Sequence, residues 1–347
     1  MPKKQQGPDG YTLLTESLKA GKIKTFYIFH GDERYLLERG IGSLRERLCP
    51  DGLNGFNYRR YEGKSLSVDE LEDAIDTLPV FAERTLIEVY DFDIFKHEQK
   101  QILANVLGNL PDYVCIVFVY DVIVFKPDNR IKLDAEIVKK ADVLEFIIQD
   151  QKKLTAWIQK HFIDAGKQIS QADAAYMAYI TGGQMSAMLG EIEKAAAFAK
   201  EAVVSRADID AVVIPVLDAE AYKLVDAIAR NDHVGALHIL DRLFQMREPP
   251  HKLIFSISLK MRQILAARIC IDNGAGKNTL IDMCGIKYDF QATSLLDTAR
   301  KMTLAECSDA VLQCARAALD LNSLPEPESR VTELIAKLAF ARVESRK

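Results

Sequence analysis

The segment 113-YVCIVFVY-120 is an unbroken apolar run of eight residues, rich in β-branched and aromatic side chains. This composition is typical of a strand in a parallel sheet that is covered on both faces. Two further runs have the same character, namely 25-TFYIFH-30 and 143-VLEFII-148. Two more strand-length runs, 56-FNYRRY-61 and 85-TLIEVY-90, are less uniformly apolar. The sequence therefore predicts five strands before residue 149.

Between these runs, apolar residues recur at helical spacing over residues 34–48, 68–78, 98–110 and 129–141. Alternation of strands and helices predicts a mainly parallel sheet with helices on both faces. The first predicted domain is thus an α/β domain over residues 1–148.

The strand signal disappears after Gln149, and an all-α region is expected from there on. A three-helix domain is predicted over residues 149–213, with helices at 151–166, 171–183 and 184–202. A larger helical domain is predicted over residues 214–347, with helices at 218–231, 234–248, 251–274, 292–302, 304–322 and 329–344. Pro249 and Pro250 separate the second and third of these helices, because proline cannot continue a helix.

Composition excludes several classes of protein. The chain of 347 residues has 45 Lys and Arg against 50 Asp and Glu, a net charge of −5, which argues against a generally basic nucleic-acid coat protein. No apolar run approaches the ~18 residues of a membrane span. The start, MPKKQQGPDGY, lacks the apolar core of a secretory signal, so we expect a cytoplasmic protein. The six cysteines form no CxxC pair, so neither a zinc site nor a disulfide framework is expected.

Nucleotide-binding motifs are incomplete. A P-loop, G-x-x-x-x-G-K-[ST], surrounds phosphate with amides, a lysine and a hydroxyl. The turn after the first strand, 30-HGDERYLLERG-40, lacks the Lys and the Ser/Thr, and Gly31 and Asp32 are expected to form a turn and an N-cap. The fragment 274-GAGKNT-279 has Asn278 in place of the hydroxyl and is predicted to join two helices. At the end of the fourth strand, Val122 stands where a catalytic Glu would follow Asp121. We expect no ATP site, no catalytic residue and no cofactor.

The connection 78-LPVF-81 is unusually apolar for a loop. Pro79 ends the preceding helix, and apolar residues then lead towards the third strand. One alternative is that Leu78, Val80 and Phe81 fold back onto the core, which is common for apolar residues. The other is an exposed hydrophobic plug that enters a pocket of a partner.

The chain resembles the delta subunit family of the bacterial DNA polymerase III clamp loader. The resemblance lies in the order and spacing of several segments, namely 26-FYIFHGDERYLLERG-40, 77-TLPVFAERTLIEV-89, 128-DNRIKLDAEIVKKADVLEFIIQDQKKLTAWIQ-159, 181-TGGQMSAMLGEIEKAAAF-198 and 236-ALHILDRLFQMREPPHKLIFSISLKMRQIL-265.

The resemblance implies an ATPase-like domain of the AAA+ type with a degenerate nucleotide site, a three-helix lid domain and a helical collar domain. It also implies a non-enzymatic subunit of the DNA polymerase complex. Such a subunit joins motor and delta-prime-type subunits in a pentamer, binds the sliding clamp and opens it for loading onto primed DNA. No membrane contact is implied, and we expect a monomer in isolation.

Residue by residue, the family's clamp-binding tip falls on Leu78, Pro79, Val80 and Phe81. Members commonly have Phe or Leu at the position of Val80, and Arg84 matches a basic residue that is expected to order the turn. No motif identifies DNA contacts.

Two other functions remain open from the sequence. A P-loop-type ATPase or replication motor would need a nucleotide site, and the missing Lys-Ser/Thr pair argues against one. A sister clamp-loader subunit would need a Cys₄ cluster or a Ser-Arg-Cys finger, and neither is present.

Overall fold

A computed structural model of the chain describes residues 9–49, 54–230, 232–245, 247–321 and 327–344. These residues form two compact units that divide between Gln149 and Asp150. The predicted division into three domains, with a second boundary at residue 213, stays a prediction.

The first unit is built on a parallel sheet. Its strands are Phe26–His30 (β1), Tyr58–Glu62 (β2), Thr85–Tyr90 (β3), Val114–Tyr120 (β4) and Asp142–Glu145 (β5). They lie in the order β2-β3-β4-β1-β5, and every neighbouring pair is parallel. All residues of β4 are buried, as its apolar run predicts.

Helices cover both faces of this sheet. They are Gly10–Lys19 (α1), Arg34–Leu48 (α2), Asn54–Asn57 (α3), Val68–Asp76 (α4), Lys100–Gly108 (α5) and Lys132–Lys140 (α6). Side chains alternate along a strand, so Phe26 and Ile28 pack with the apolar faces of α4, α5 and α6. Phe29 points to the opposite face, where its ring lies 5.0 Å from that of Phe146.

An ion pair with a buried carboxylate ties α2 to the β2–β3 side of the sheet. Glu88 of β3 is fully buried, and Arg45 Nη2 lies 2.9 and 2.8 Å from its two carboxylate oxygens. The hydroxyls of Tyr58 and Tyr90 donate to Oε2 at 3.0 and 3.3 Å. Burial, and then the Glu88 carboxylate, raises the pKa of Tyr58, so its phenol stays a donor. The charge of Glu88 is thereby compensated on several sides.

The second unit contains the remaining elements. They are Gln151–Asp164 (α7), Gln168–Ile169 (β6), Gln171–Ile180 (α8), Met185–Phe198 (α9), Val203–Val204 (β7), Arg206–Val212 (α10), Leu217–Ala229 (α11), His233–Gln245 (α12), Pro250–Asp272 (α13), Lys277–Cys284 (α14), Asp289–Ala299 (α15), Leu304–Asp320 (α16) and Pro327–Glu344 (α17). The long helix α13 is central, since its buried residues share one core with helices α11 to α17. Pro250 starts α13, because the fixed φ of proline suits the first helical position.

The α/β-plus-helical fold class is confirmed, and the five predicted strands are present within about three residues of their expected ends. The expectation of helices alone after residue 149 is wrong in one detail, because β6 and β7 pair as a short parallel ladder. Two-residue strands carry too little periodicity to be recognised. Within the part of the chain that the structure describes, no helix is both long and apolar enough to cross a bilayer.

Gly31, directly after β1, provides a test of the loop that follows this strand. Its φ is +135°, and a Cβ there would overlap the carbonyl oxygen of Phe146. We expect Gly31→Ala to lower the free energy of unfolding by at least about 2–3 kcal/mol, measured by urea denaturation. The control is Gly42→Ala in α2, where a Cβ meets open space and alanine is expected to stabilise by about 0.5–1 kcal/mol. Equal effects of the two variants would contradict this description of the loop.

Candidate partner-binding site

The segment 78–81, called the tip below, follows a helix with well-defined ends. At the start of α4, Ser67 Oγ accepts from the Glu70 amide at 3.2 Å and Glu70 Oε2 accepts from the Ser67 amide at 2.9 Å, which is a capping box. At its end, the Thr77 hydroxyl donates to the Asp73 carbonyl at 2.8 Å. The extended conformation of Thr77, followed by Pro79, turns the chain out of the helix.

The tip exposes apolar side chains. Phe81 is 94% exposed, Leu78 is 66% exposed and Val80 is 39% exposed, while Pro79 is half-buried. The alternative in which the tip folds back onto the core is therefore wrong for Phe81 and Leu78. A phenylalanine left almost entirely in water loses the ~2–3 kcal/mol that burial of its side chain would provide.

The backbone of the tip is in an uncommon conformation at its most exposed residue. Phe81 has φ = +56°, in the left-handed region. This region costs an ordinary L-residue about 1–2 kcal/mol, because Cβ approaches the following carbonyl oxygen. Such a conformation persists only where the surroundings impose it.

Asn57, at the end of α3, holds the residue before Phe81. Its side chain is fully buried, and its amide contacts both backbone polar groups of Val80. Asn57 Nδ2 donates to the Val80 carbonyl at 2.6 Å, and the Val80 amide donates to Asn57 Oδ1 at 2.6 Å. The backbone carbonyl of Asn57 in turn accepts from the Cys49 thiol at 3.5 Å. Burial raises the pKa of Cys49, so the thiol keeps its proton for this contact.

Two arginines hold the ends of the tip. Arg59 Nη2 donates to the Thr77 hydroxyl at 3.2 Å, and Arg84 Nη1 donates to the Ile23 carbonyl at 2.9 Å. Arg84 thus contacts the segment that leads into β1, and its role in ordering the turn stays a prediction.

Phe56 is an exposed aromatic residue that the sequence reasoning missed. The run 56–61 predicts a strand from residue 56, whereas the structure places Phe56 in α3 and starts β2 at Tyr58. The Phe56 side chain is 62% exposed. Its one signal in the sequence is an aromatic residue directly before an asparagine, which is too weak to distinguish a short helix from a strand.

The loop after β1, where a P-loop would bind phosphate, is occupied by the chain itself. The Phe146 amide donates to the His30 carbonyl at 2.7 Å, and the Glu33 amide donates to the Phe146 carbonyl at 3.0 Å. The expected N-cap role of Asp32 is wrong, because Glu33 is the N-cap residue of α2. Burial, and to a smaller extent the carboxylate of Asp9, raises the pKa of Glu33. Two acidic side chains, both buried, are a poor environment for a phosphate group.

The loop after β4 is also closed by the protein's own groups. The carboxylate of Asp91 accepts from the amides of residues 121, 122 and 123 at 3.0, 2.8 and 3.1 Å. Three consecutive amides of this kind bind anions in many phosphate sites. Here a side chain takes that place, and Asp121 pairs with Arg34.

The fragment 274–279 joins α13 to α14, as predicted. Gly276 is the N-cap residue of α14, and Lys277 Nζ lies 2.7 Å from a carboxylate oxygen of Asp289. The lysine of this fragment is thus already paired with an acid.

Comparison with known proteins gives consistent results over most of the chain. A family model described as the DNA polymerase III delta subunit matches residues 27–147, and one for the C-terminal domain of the same subunit matches residues 218–336. DNA polymerase III subunit delta of Bacillus subtilis is 23% identical over 339 residues, which cover 95% of this chain and 96% of the relative. A probable delta subunit of Aquifex aeolicus is 23% identical over 279 residues, 76% of each chain. The solved structure of the Bacillus subtilis DNA clamp loader delta protein has a similar fold, with a TM-score of 0.53 at 20% identity, over 95% of this chain and 99% of that one.

Proposed function

The chain belongs to the DNA polymerase III delta subunit family, the clamp-loader delta subunits of bacterial replication, and we propose that it binds the sliding clamp through residues 78–81. On this proposal Phe81 enters an apolar pocket of the clamp, with Leu78 and Val80 beside it. The subunit then holds the ring open for loading onto primed DNA in the cytoplasm, without hydrolysing ATP itself.

The observation that carries the proposal is the state of Phe81, which is both exposed and held in the left-handed region. Exposure of a large aromatic ring has a hydrophobic cost, and the backbone conformation adds strain. Burial of the ring in a partner offsets the cost of exposure and the backbone strain, since aromatic anchors dominate the affinity of protein interfaces.

Opening of the clamp follows from a difference between the affinities of the subunit for the open and the closed clamp. A subunit that binds the open clamp more tightly than the closed clamp shifts the equilibrium by the ratio of the two affinities. The clamp pocket that the tip enters therefore needs a shape that differs between the open and the closed clamp.

The lack of hydrolysis is supported by the closed loops after β1 and β4. The Phe146 backbone bonds to His30 and Glu33 in the loop after β1, and the Asp91 carboxylate accepts from three amides of the loop after β4. ATP is instead bound by the motor subunits of the assembly, and the alternative of an ATPase is disfavoured.

Assembly with the other loader subunits uses the helical second unit, and the outer face of α16 supports this. Ala305, Ser308, Leu312, Ala315 and Leu319 follow the three-four spacing of a helix-packing seam, and both leucines are exposed. The core-facing residues of α16 lie on the opposite side, namely Cys307, Ala310, Cys314 and Ala317. We call the five outer residues the α16 seam.

A cavity adjoins the α16 seam. Its volume is about 250 Å³, and Ala305 of the seam lines it. Most of its other wall residues are apolar, among them Val225, Met261 and Leu338, and three are charged, namely Glu306, Asp309 and Lys337. We propose that a helix of a neighbouring subunit packs on the seam and places an apolar side chain in this cavity. A seam matched to a different subunit keeps the isolated protein a monomer, since head-to-tail rings use unlike surfaces.

The first prediction from the proposed function concerns Phe81. We expect Phe81→Ala to weaken binding to the sliding clamp of the same organism at least about 30-fold, or ~2 kcal/mol, because it removes the aromatic anchor. The free energy of unfolding should change by less than about 0.5 kcal/mol, as for most exposed positions. Surface plasmon resonance and thermal melting measure the two quantities.

The control for Phe81 is Phe198→Ala, which removes an exposed phenylalanine of the second unit and should leave clamp binding unchanged. Val80→Ala should cost less than Phe81→Ala, and Val80→Leu should tighten binding by filling more of the pocket. A Phe81→Ala protein that binds the clamp normally would falsify the proposal.

The second prediction concerns nucleotide. We expect isothermal calorimetry to detect no Mg-ATP binding at micromolar concentrations, because the loop after β1 lacks the lysine and hydroxyl of a P-loop and carries buried acids. Micromolar affinity that disappears on substitution of residues 31–35 would show that this loop is a working site.

The third prediction concerns the α16 seam. We expect Leu312→Lys combined with Leu319→Lys to abolish co-purification with the other loader subunits, because two charges would be buried in the helix contact. Clamp binding and melting temperature should stay close to those of the parent. The matched control is Ala318→Lys, an exposed position about 100° from Leu319 around the same helix. Normal assembly of the double variant would place the contact elsewhere.

A further inference from the structure

The fully buried side chain of Asn57 uses both of its polar atoms on Val80, a single residue of an exposed loop. In a sheet, a residue that bonds through both its N–H and its C=O is fixed by a whole neighbouring strand. Here one side-chain amide replaces that strand. Among the described residues of the tip, Val80 is the one whose backbone is fixed in this way.

The position of this contact determines what it controls. The Val80 carbonyl lies in the same peptide plane as the nitrogen and Cα of Phe81, and φ of Phe81 is rotation about the bond between those two atoms. A donor that holds the Val80 carbonyl therefore fixes the plane from which Phe81 projects. Without it, a phenylalanine would relax towards the β or right-handed region, and its ring would point elsewhere.

The same contact brings a second aromatic residue close to the tip. Phe56 precedes Asn57 and Phe81 follows Val80, so their Cα atoms are at most about 16 Å apart along bonded atoms. A standard interface of about 800 Å² per partner is about 30 Å across, so both rings fit within one. Phe56 is exposed, and it belongs to α3, whereas the tip follows α4.

We propose that Asn57 is the positioning residue of the tip and that Phe56 is a second apolar contact with the sliding clamp. This inference rests on the proposed function, since it assumes that the tip binds the clamp. Asn57 raises the fraction of molecules whose tip is in the binding conformation, and Phe56 enlarges the apolar surface that the clamp covers.

The test of Asn57 is kinetic. If a fraction f of free molecules is competent to bind, the apparent affinity falls by that fraction. We expect Asn57→Ala to lower the association rate constant with the clamp about tenfold and to leave the dissociation rate constant within about twofold. Phe81→Ala should act in the opposite way, mainly on dissociation, because it removes contacts from the complex.

Two variants separate positioning from general destabilisation. Thr155→Ala removes a buried hydroxyl that donates to the Gln151 carbonyl at 2.7 Å, and it should lower the melting temperature without changing clamp kinetics. In Asn57→Ser the serine side chain is too short to reach both backbone groups of Val80, so this variant should behave like Asn57→Ala. It replaces Asn57→Ala if the alanine variant does not fold. In the Phe81→Ala background, Asn57→Ala should cause little further loss, since no ring remains to be placed.

The test of Phe56 is an affinity measurement. We expect Phe56→Ala to weaken clamp binding about five- to tenfold, through faster dissociation and with unchanged melting. Its effect should add to that of Phe81→Ala, because the two rings contact different parts of the clamp.

The outcomes distinguish this inference from the proposed function. If Phe81→Ala weakens clamp binding but Asn57→Ala leaves the association rate unchanged, the positioning role is wrong and the proposed function stands. If Phe56→Ala binds like the parent, Phe56 is not a contact. If Phe81→Ala binds the clamp normally, the proposed function itself fails, whatever the other two variants do.

Discussion

The buried carboxylate of Glu88 is the constraint on which the position of the tip depends. Arg45 in α2 and Tyr58 in β2 both bond to it, and they flank the chain segment that carries Asn57. The carboxylate is buried and its charge needs these partners, so both ends of that segment are held to the sheet. Asn57 transmits this order to Val80. A loop that is otherwise open to water thus obtains its geometry from the sheet.

The parallel sheet keeps the architecture of a nucleotide-binding domain while its own groups occupy the loops at the carboxyl ends of the strands. In parallel α/β sheets these ends are where ligands normally bind. Here the Phe146 backbone covers the loop after β1, and the Asp91 carboxylate takes three amides after β4. Such contacts stabilise the loops permanently, whereas a nucleotide would order them only when bound. On the proposed function, the first unit is therefore suited to be a rigid carrier of the tip.

The strands and most helices were predictable, because long apolar runs and helical spacing are set by burial. The exposure of Phe81 was not, because an apolar residue in a connection satisfies the same pattern whether it packs inside or outside. Its left-handed backbone was still less accessible, since it depends on a bond between residues 57 and 80, which lie far apart in sequence. Asp32 was expected to cap α2 because aspartate is a frequent N-cap residue, yet Glu33 takes that position. Local preference determined the elements, and long-range contacts determined the site.

The substitution of Val80 for the larger residues common in the family fits the division of roles within the tip. Val80 is the least exposed of the tip's three large apolar side chains, and both of its backbone groups are held by Asn57. On the proposed function, Phe81 supplies most of the apolar contact, and the fixed backbone of Val80 reduces the entropy lost on binding. Preorganisation of this kind raises affinity without any added contact, so a smaller plug is compatible with tight binding.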